Sequence, residues 1–484
     1  MSDRAVKGNR AWTLFAPAIA CMLLAGWMAL SAANIQRASF SFLALLLANF
    51  IVYTDGIDFL LRRYAHRRHT ASAGGTGNGR NQSIDLPAIL PAVPGRLDSV
   101  RPYAIIASIH NLGDQLDEFM EAFEPYRERV WLISDGSTDN TVKRLHQAGW
   151  RCLDERVNRR KPGALRCLLA KLPPHIETVM VIDPDVRIRG RNEGSEVDLE
   201  RFIGDFQQSR AAAVSPRIMI EPDGFLGRFQ AFEYALGFRI GRESLADYNV
   251  TSGVAFYRRD ALARTLEAHS LSVYAEDLEN AVILLSQGER IYYDGRLVVS
   301  TEGPGTLARW FSQRVGWYYG LLKVYTERFG QIRRISRRAP FAAYQYIIYL
   351  GVLSLACHLI KMLSVGLLLV SLAATLDSVL AIGWMPQTAV TNPLHFMAAA
   401  GSYLLLAVIA QLTLVPKAER AYTAPIVPLY LLYSMLHVAP MSVGFGNWIA
   451  LRFWGRRLYR DHYQPGEAVN GAPSPSAADT GVMP

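Results

Sequence analysis

Hydrophobic and polar positions follow three regimes along this chain. Residues 12 to 33 and 40 to 61 are long apolar runs, and three further runs lie between about 341 and 450. Runs of roughly 20 apolar residues are what spans a bilayer. From Tyr103 the pattern changes to short apolar strands, Ala104 to Ile109, Val130 to Ser134 and Val179 to Asp183, separated by amphipathic helical stretches. That alternation predicts a parallel sheet covered on both faces, with ligands at the carboxyl ends of its strands. The third regime carries neither period. Residues 70 to 100, with the run Ala73-Gly74-Gly75-Thr76-Gly77-Asn78-Gly79, predict a flexible linker, and the Pro, Ser, Ala and Gly beyond about Gln464 predict a disordered tail.

The pattern divides the chain into a membrane region at 1–69, a linker at 70–100, a globular α/β domain at 101–306, an interfacial helix region at 307–338, membrane helices at 339–455 and a tail at 456–484. Arg4, Lys7 and Arg10 before the first apolar run imitate a signal peptide, but its length, the second run close behind it and the lack of a small-residue cleavage site favour a retained anchor. Residues 341 to 379 are long enough for two spans with Lys361 near the turn, giving six in all; five with a re-entrant piece is the other count. No ionisable residue in the later runs identifies a pore.

The net charge of +9 narrows the picture only once its location is considered. Arg62, Arg63, Arg67 and Arg68 follow the second run, Arg333, Arg334, Arg337 and Arg338 precede the third, and Arg456, Arg457 and Arg460 follow the last. Positive charge beside spans marks the cytoplasmic side and meets lipid headgroups. This places both termini and the central domain inside, and a nucleic-acid role is excluded because the charge sits beside spans with no readout motif. Cys21, Cys152, Cys167 and Cys357 have no metal or redox spacing and read as buried small side chains in a reducing compartment.

Four elements of the central region carry candidate chemistry. Ser134-Asp135-Gly136-Ser137-Thr138-Asp139-Asn140-Thr141 is an acidic loop at a strand end, able to accept hydrogen bonds from a nucleobase or ribose while Ser137 or Asn140 caps the next helix; a plain polar turn explains it equally. Asp183-Pro184-Asp185 sets two carboxylates one residue apart after an apolar strand, where both can turn to a hard cation such as Mg2+ or Mn2+. Tyr274-Ala275-Glu276-Asp277 enters a helix with a candidate general base in Asp277 and an assisting Glu276, although acids at a helix start are also favoured by the macrodipole. In the helix after Pro304, Trp310, Gln313, Arg314 and Trp317 share one face, where Arg314 can neutralise a departing diphosphate and Trp317 can stack on a sugar ring. The plain alternative is an interfacial helix with Trp310, Phe311, Tyr318, Tyr319, Leu322 and Tyr325 at headgroup level.

In this order the elements resemble family 2 glycosyltransferases, specifically the processive membrane branch of cellulose, chitin and hyaluronan synthases. The resemblance covers residues 101 to about 330 and includes Asn158, Lys161, Pro162, Gly163 and Ala164, similar to the family's basic donor loop. It implies a GT-A, Rossmann-like cytosolic domain inserted between transmembrane helices of an inner-membrane, multi-pass protein. It further implies inverting transfer from a nucleotide-sugar, a UDP-sugar foremost, to a growing exopolysaccharide that crosses the membrane through the spans. By resemblance, His110 stacks on the base, Asp135 holds the uridine, Lys161, Asp183 and Arg314 meet the diphosphate, Asp185 with Asp183 holds the metal, and Asp277 is the base. Gln313, Trp317, Ser252 and Gly253 would then meet the acceptor. Departures are Gly316 where the family's QxxRW pattern has Arg, Ala275 where its TED pattern has Thr, and Leu112 where Glu is expected after Asn111. The chain beyond residue 450 is too short for the cyclic-dinucleotide barrel of bacterial cellulose synthases. The alternatives are single sugar transfer to a lipid acceptor and, given Gly316, an inactive membrane scaffold; accessory subunits stay open.

Overall fold

The computed structural model describes residues 35–60, 100–456 and Leu458, apart from Asp114, Ala246, residues 271–273, Gln387 and Ala389. The apolar run at 12–33, Cys21, the basic clusters at Arg4 to Arg10 and Arg62 to Arg68, nearly all of the Gly-rich linker, Arg457, Arg460 and the tail lie outside the described residues.

Eight strands form one sheet: β1 (Tyr103–Ile109), β2 (Val130–Asp135), β3 (Cys152–Glu155), β4 (Thr178–Val181), β5 (Val186–Ile188), β6 (Ala213–Glu221), β7 (Ala255–Arg258) and β8 (Ile291–Glu302), in the order β3-β2-β1-β4-β7-β6-β8-β5. The three expected strands sit side by side and parallel, but the sheet is mixed, not parallel throughout. β7 runs antiparallel to both β4 and β6, and β5 antiparallel to β8. These partners lie far along the chain, and no local pattern encodes their direction.

The alternation of β1 shows how the sheet is covered. Ile105, Ala107 and Ile109 enter one buried layer with Phe119, Phe202 and Phe206, whereas Ala104 and Ile106 enter the other with Leu165, Leu168 and Leu285. Successive side chains of a strand point to opposite faces, so a strand buried on both sides reads as an unbroken apolar run. The helices that bear on the site are α1 (Arg160–Lys171), α2 (Gly224–Leu236), α3 (Glu276–Gln287) and α4 (Leu307–Glu327).

Three helical segments are long and apolar enough to cross a membrane: α5 (His358–Leu380), α6 (Pro393–Thr413) and the broken stretch Lys417–Trp454, whose last part is α7 (Val438–Trp454). The pair Phe42–Ala48 and Phe50–Leu60, bent by 59°, makes up to four if it is one span. The break expected near Lys361 falls at Cys357, with Lys361 in the first turn of α5, but the preceding Tyr344–Ala356 has only 13 residues. Thirteen residues fall short of a bilayer. Helix α2 joins the two halves, because Phe229, Phe232 and Ala235 share a core with Trp310, Leu368, Tyr403 and Tyr430.

Two expectations about surface residues change. Arg338 does not simply face headgroups; it donates to the carbonyls of Leu285 (2.6 Å) and Ser286 (3.3 Å) and caps the C-terminal end of α3. Cys152, Cys167 and Cys357 are free thiols and half-buried, not fully buried.

Candidate active site

The site forms where β1, β2 and β4 end. At the first two ends the loops lock together. His110 Nδ1 donates to the Asp135 carbonyl at 2.9 Å, and Asn111 Oδ1 accepts from the Thr138 amide at 2.8 Å. The ring of His110 stays exposed beside them. Asp135 is buried, and its Oδ1 accepts the Arg159 amide at 2.5 Å at the start of α1. Burial raises the Asp135 carboxyl against the lowering effect of that amide. Gly136 adopts φ +72°, and a Cβ there would lie 3.0 Å from the Asn158 nitrogen, so the acidic loop is folded directly onto the loop that leads to Lys161. The helix after this loop is not capped by Ser137 or Asn140. Asp139 takes the role, accepting the Thr141 amide at 3.0 Å and the Gly113 amide at 3.2 Å, while Ser137 Oγ accepts from Asn111.

The next cluster centres on Lys161. Its Nζ lies 2.6 Å from Asp183 Oδ1 and 3.2 Å from Glu276 Oε1. Burial alone would lower the ammonium, but Asp183, Glu276 and Asp277 more than offset it and hold its pKa well above the usual lysine range. Burial raises both members of the coupled pair, Glu276 to about 7 and Asp277 in the same direction, with Lys161 opposing in each case. Among the described residues the Asp277 side chain takes no hydrogen bond; Arg242 is the other cation that lowers its pKa. Asp185 stands in the cleft, open to water yet walled by protein. Its Oδ2 accepts from Thr301 Oγ1 at 2.7 Å, and burial together with Asp183 raises its pKa.

Strand direction assembles this cluster. Because β7 is antiparallel to β4, with Val181 opposite Ala255, the residues just before β7 arrive beside those just after β4. Gly253 therefore lies under Asp183, whose Oδ2 would be 2.3 Å from a Cβ at that position. Thr251 Oγ1 donates to the Asp277 carbonyl at 2.8 Å, and Ser252 is buried with its hydroxyl spent on the Val254 carbonyl at 2.9 Å. The Thr251-Ser252-Gly253 loop thus supports the carboxylates. Pairing of Val186 with Thr301 likewise delivers Thr301 to Asp185. Ala275, at φ +54°, turns the chain sharply into α3, and Gly320 of α4 packs on that corner so closely that a Cβ would be 2.8 Å from Tyr274 and Ala275.

On α4 the expected face exists but points elsewhere than at Asp183. Arg314 is fully buried; its Nη2 donates to Glu233 Oε2 at 2.7 Å, and its guanidinium lies 3.9 Å from the Trp317 ring centre. Burial would lower Arg314, and the Glu233 carboxylate overrides it and raises the pKa further. Gln313 Oε1 accepts weakly from Arg314 at 3.4 Å, and Trp317 is 37% exposed. Trp310 donates to Tyr433 at 3.0 Å and Tyr318 pairs with His437 at 2.9 Å, so these aromatics meet the membrane-type helices rather than headgroups. Gly316 is buried where α7 crosses: a Cβ on Gly444 would lie 2.8 Å from the Val315 carbonyl and 2.9 Å from the Tyr319 nitrogen.

A cavity of about 600 Å³ opens between α2, α3, α4 and these helices. Arg242, Val250 and Leu278 line it next to Asp277, and Asp55, Asp58 and Lys361 line it among the apolar helices, so ionisable residues do mark this space. Sequence reasoning missed Glu233 and Arg242. Both sit in helical segments without a motif, and nothing short of the fold reveals their partners.

A family model described as Glycosyl transferase family group 2 matches residues 196–435, just under half of the chain, and takes in Glu276, Asp277, Gln313, Arg314 and Trp317 but not Asp135 or Asp183. Together with the acidic cleft, this match defines a glycosyltransferase. No curated protein sequence matches. Among solved structures, the chain is similar to a mannosyltransferase from Pyrobaculum calidifontis in complex with GDP-Man and Mn2+, at 17% identity over 82% of this chain and 99% of that one, with a TM-score of 0.46. It is also similar to glucosyl-3-phosphoglycerate synthase from Mycobacterium tuberculosis in complex with Mn2+, UDP and glucosyl-3-phosphoglycerate, at 14% identity over 47% of this chain and 79% of that one, with a TM-score of 0.29. TM-scores this low leave the family match as the ground for the assignment.

Proposed function

We propose that this glycosyltransferase is membrane-embedded and inverting, and that it moves a sugar from a nucleotide-sugar in the cytoplasm to a growing polysaccharide seated in the cavity. One observation carries the reading: the cavity reaches Leu278, the residue after Asp277, and continues among helices long and apolar enough to cross a membrane. A lipid-spanning region that only anchored the enzyme would not need a polar, aromatic space joined to the acidic cluster. On this reading the catalytic face is cytosolic, in the inner membrane, and the chain extends by repeated transfer.

The acidic cleft fits a divalent cation. A buried ammonium held among Asp183, Glu276 and Asp277 marks a place built for positive charge. Among the described residues no group of three or more His, Cys, Asp or Glu surrounds one point, so Asp183 and Asp185 would share the ion with donor phosphates. That donor set suits Mg2+ or Mn2+, which keep few protein ligands. When bound, the ion neutralises charge on the diphosphate. His110 and Asp135 receive the nucleoside, and Lys161 meets the diphosphate as it leaves. Asp277 takes the proton of the acceptor hydroxyl while that oxygen attacks the anomeric carbon opposite the departing nucleoside diphosphate, so the proton ends on Asp277 and the bond pair on the diphosphate. Trp317 offers the acceptor a flat face.

The test is a donor screen on the full chain in nanodiscs with Mg2+ or Mn2+, following nucleoside diphosphate release and product size across UDP- and GDP-sugars. Release with one donor, a high-molecular-weight product, and loss of both in Asp277→Asn supports the reading. A product of one sugar on a lipid, or no release with any donor, overturns it.

A further inference from the structure

One carboxylate in the cavity belongs to two neighbourhoods. Glu233 projects from α2, and its Oε2 accepts from Arg314 Nη2 and from the Tyr433 hydroxyl, both at 2.7 Å. Its Oε1 takes no hydrogen bond among the described residues, and the His437 imidazole stands off at 3.8 Å through Nε2. The side chain is surrounded by protein yet 26% accessible, and it lines the cavity. Its remaining access therefore opens into that space. Burial would raise the Glu233 carboxyl, but the Arg314 guanidinium outweighs it and lowers the pKa, so the group is ionised and accepts hydrogen bonds only.

The surroundings select the kind of ligand that meets Oε1. Tyr318, Tyr403 and Tyr430 line the same cavity, as do Ser434 and Asp55, whose Oδ2 accepts from Ser434 Oγ at 3.1 Å and from the Tyr403 hydroxyl at 3.0 Å. Rings for the C–H faces of a sugar and carboxylates for its hydroxyls are complementary to a neutral carbohydrate. An anionic headgroup is poorly served. The wall carries Asp55, Asp58 and Glu233 against Arg242 and Lys361, and Arg242 already donates to the carbonyls of Val250 and Thr251.

We propose that Glu233 Oε1 binds a hydroxyl of a neutral sugar unit in the cavity, so that the carboxylate holding Arg314 against Trp317 also senses whether an acceptor is seated. This rests on the reading above that the cavity receives the acceptor. Through Oε2 the same residue positions Arg314, and an occupied cavity thereby bears on the side chains flanking the transfer site.

The experiment uses the full chain in nanodiscs and three probes, cellobiose, chitobiose and dodecyl phosphate, read by calorimetry. In the wild type one disaccharide binds and dodecyl phosphate does not. Glu233→Gln weakens that disaccharide at least tenfold and raises the acceptor KM, while the donor KM stays within twofold. If Glu233→Gln does not fold, Glu233→Asp, which keeps the charge but withdraws it by one methylene, is read the same way. Unchanged disaccharide affinity in a folded variant, or binding of dodecyl phosphate in competition with the disaccharide, overturns the inference. Wild-type chain that makes polymer but binds neither disaccharide overturns it while leaving the proposed function standing; chain that neither binds nor transfers removes both.

Discussion

Around Lys161 one ammonium faces Asp183, Glu276 and Asp277; around Glu233 one carboxylate faces a guanidinium, a phenol and an imidazole. Both clusters are enclosed by protein, yet their balances differ. The first holds more negative charge than its cation can offset, and burial pushes Glu276 and Asp277 upward. The second is a matched pair, with Glu233 pulled down and Arg314 pushed up. Uncompensated charge in a cleft marks a place awaiting a cation and a reaction. Compensated charge fixes one element against another, here α2 and α4 against the membrane-type helices.

If that contrast is right, the two clusters fail differently when cut. Removing charge from the acidic cleft should hurt function and spare the fold: Asp277→Asn should lower transfer by about 10³-fold, within the usual range for a general base, with an unchanged or raised Tm in the same preparation. The reverse holds at the matched pair. Arg314→Met leaves Glu233 enclosed without its guanidinium and should cost about 3–5 kcal/mol of stability, read as a lowered midpoint in a detergent-solubilised melt. An unshifted Tm in that variant would erase the distinction.

Smaller effects sharpen it. A Cβ in Gly253→Ala must displace the Asp183 carboxylate, so we expect roughly tenfold weaker donor binding and about 1–3 kcal/mol of strain. The cleft should contribute to the pH response alongside buried Glu243, whose carboxyl burial also raises, to about 8. Burial raises the folded pKa of Glu276 from the ordinary glutamate value of 4.5 to about 7, so the folded state binds more protons across that window. Its stabilising contribution is complete below 4.5 and is lost as pH rises through 7, which melting in EDTA from pH 4.5 to 7.5 will detect. Glu276→Gln should flatten that slope. Least of all, Asp139→Ala removes a helix cap away from both clusters and should cost about 1 kcal/mol with little change in the donor KM.

Much of this was legible in one dimension. The β1, β2 and β4 strands show as apolar runs because both faces are buried, and the acidic residues after them fall at one sheet edge because the three strands are parallel. His110, Asp135, Lys161, Asp183, Glu276 and Asp277 do gather there, while Arg314 turns to Glu233 instead and Gln313 meets only Arg314 among the described residues. Sequence spacing placed Trp310, Arg314 and Trp317 on one face, but could not say which partner that face meets. Trp310 and Tyr318 take their partners from Tyr433 and His437, over a hundred residues away, which no local pattern announces.

The sequence by itself determined what depends on neighbours within a few residues: apolar runs long enough for a membrane, strand periods, and carboxylates at strand ends. Tertiary structure alone decided what depends on strand direction and close approach. Antiparallel β7 brought Gly253 beneath Asp183, and the crossing of α4 by α7 set Gly444 against the backbone of Val315 and Tyr319. Folding also turned Glu233 from one acid on a largely apolar helix into the partner of Arg314 and Tyr433 on the cavity wall, because only there do the three elements meet.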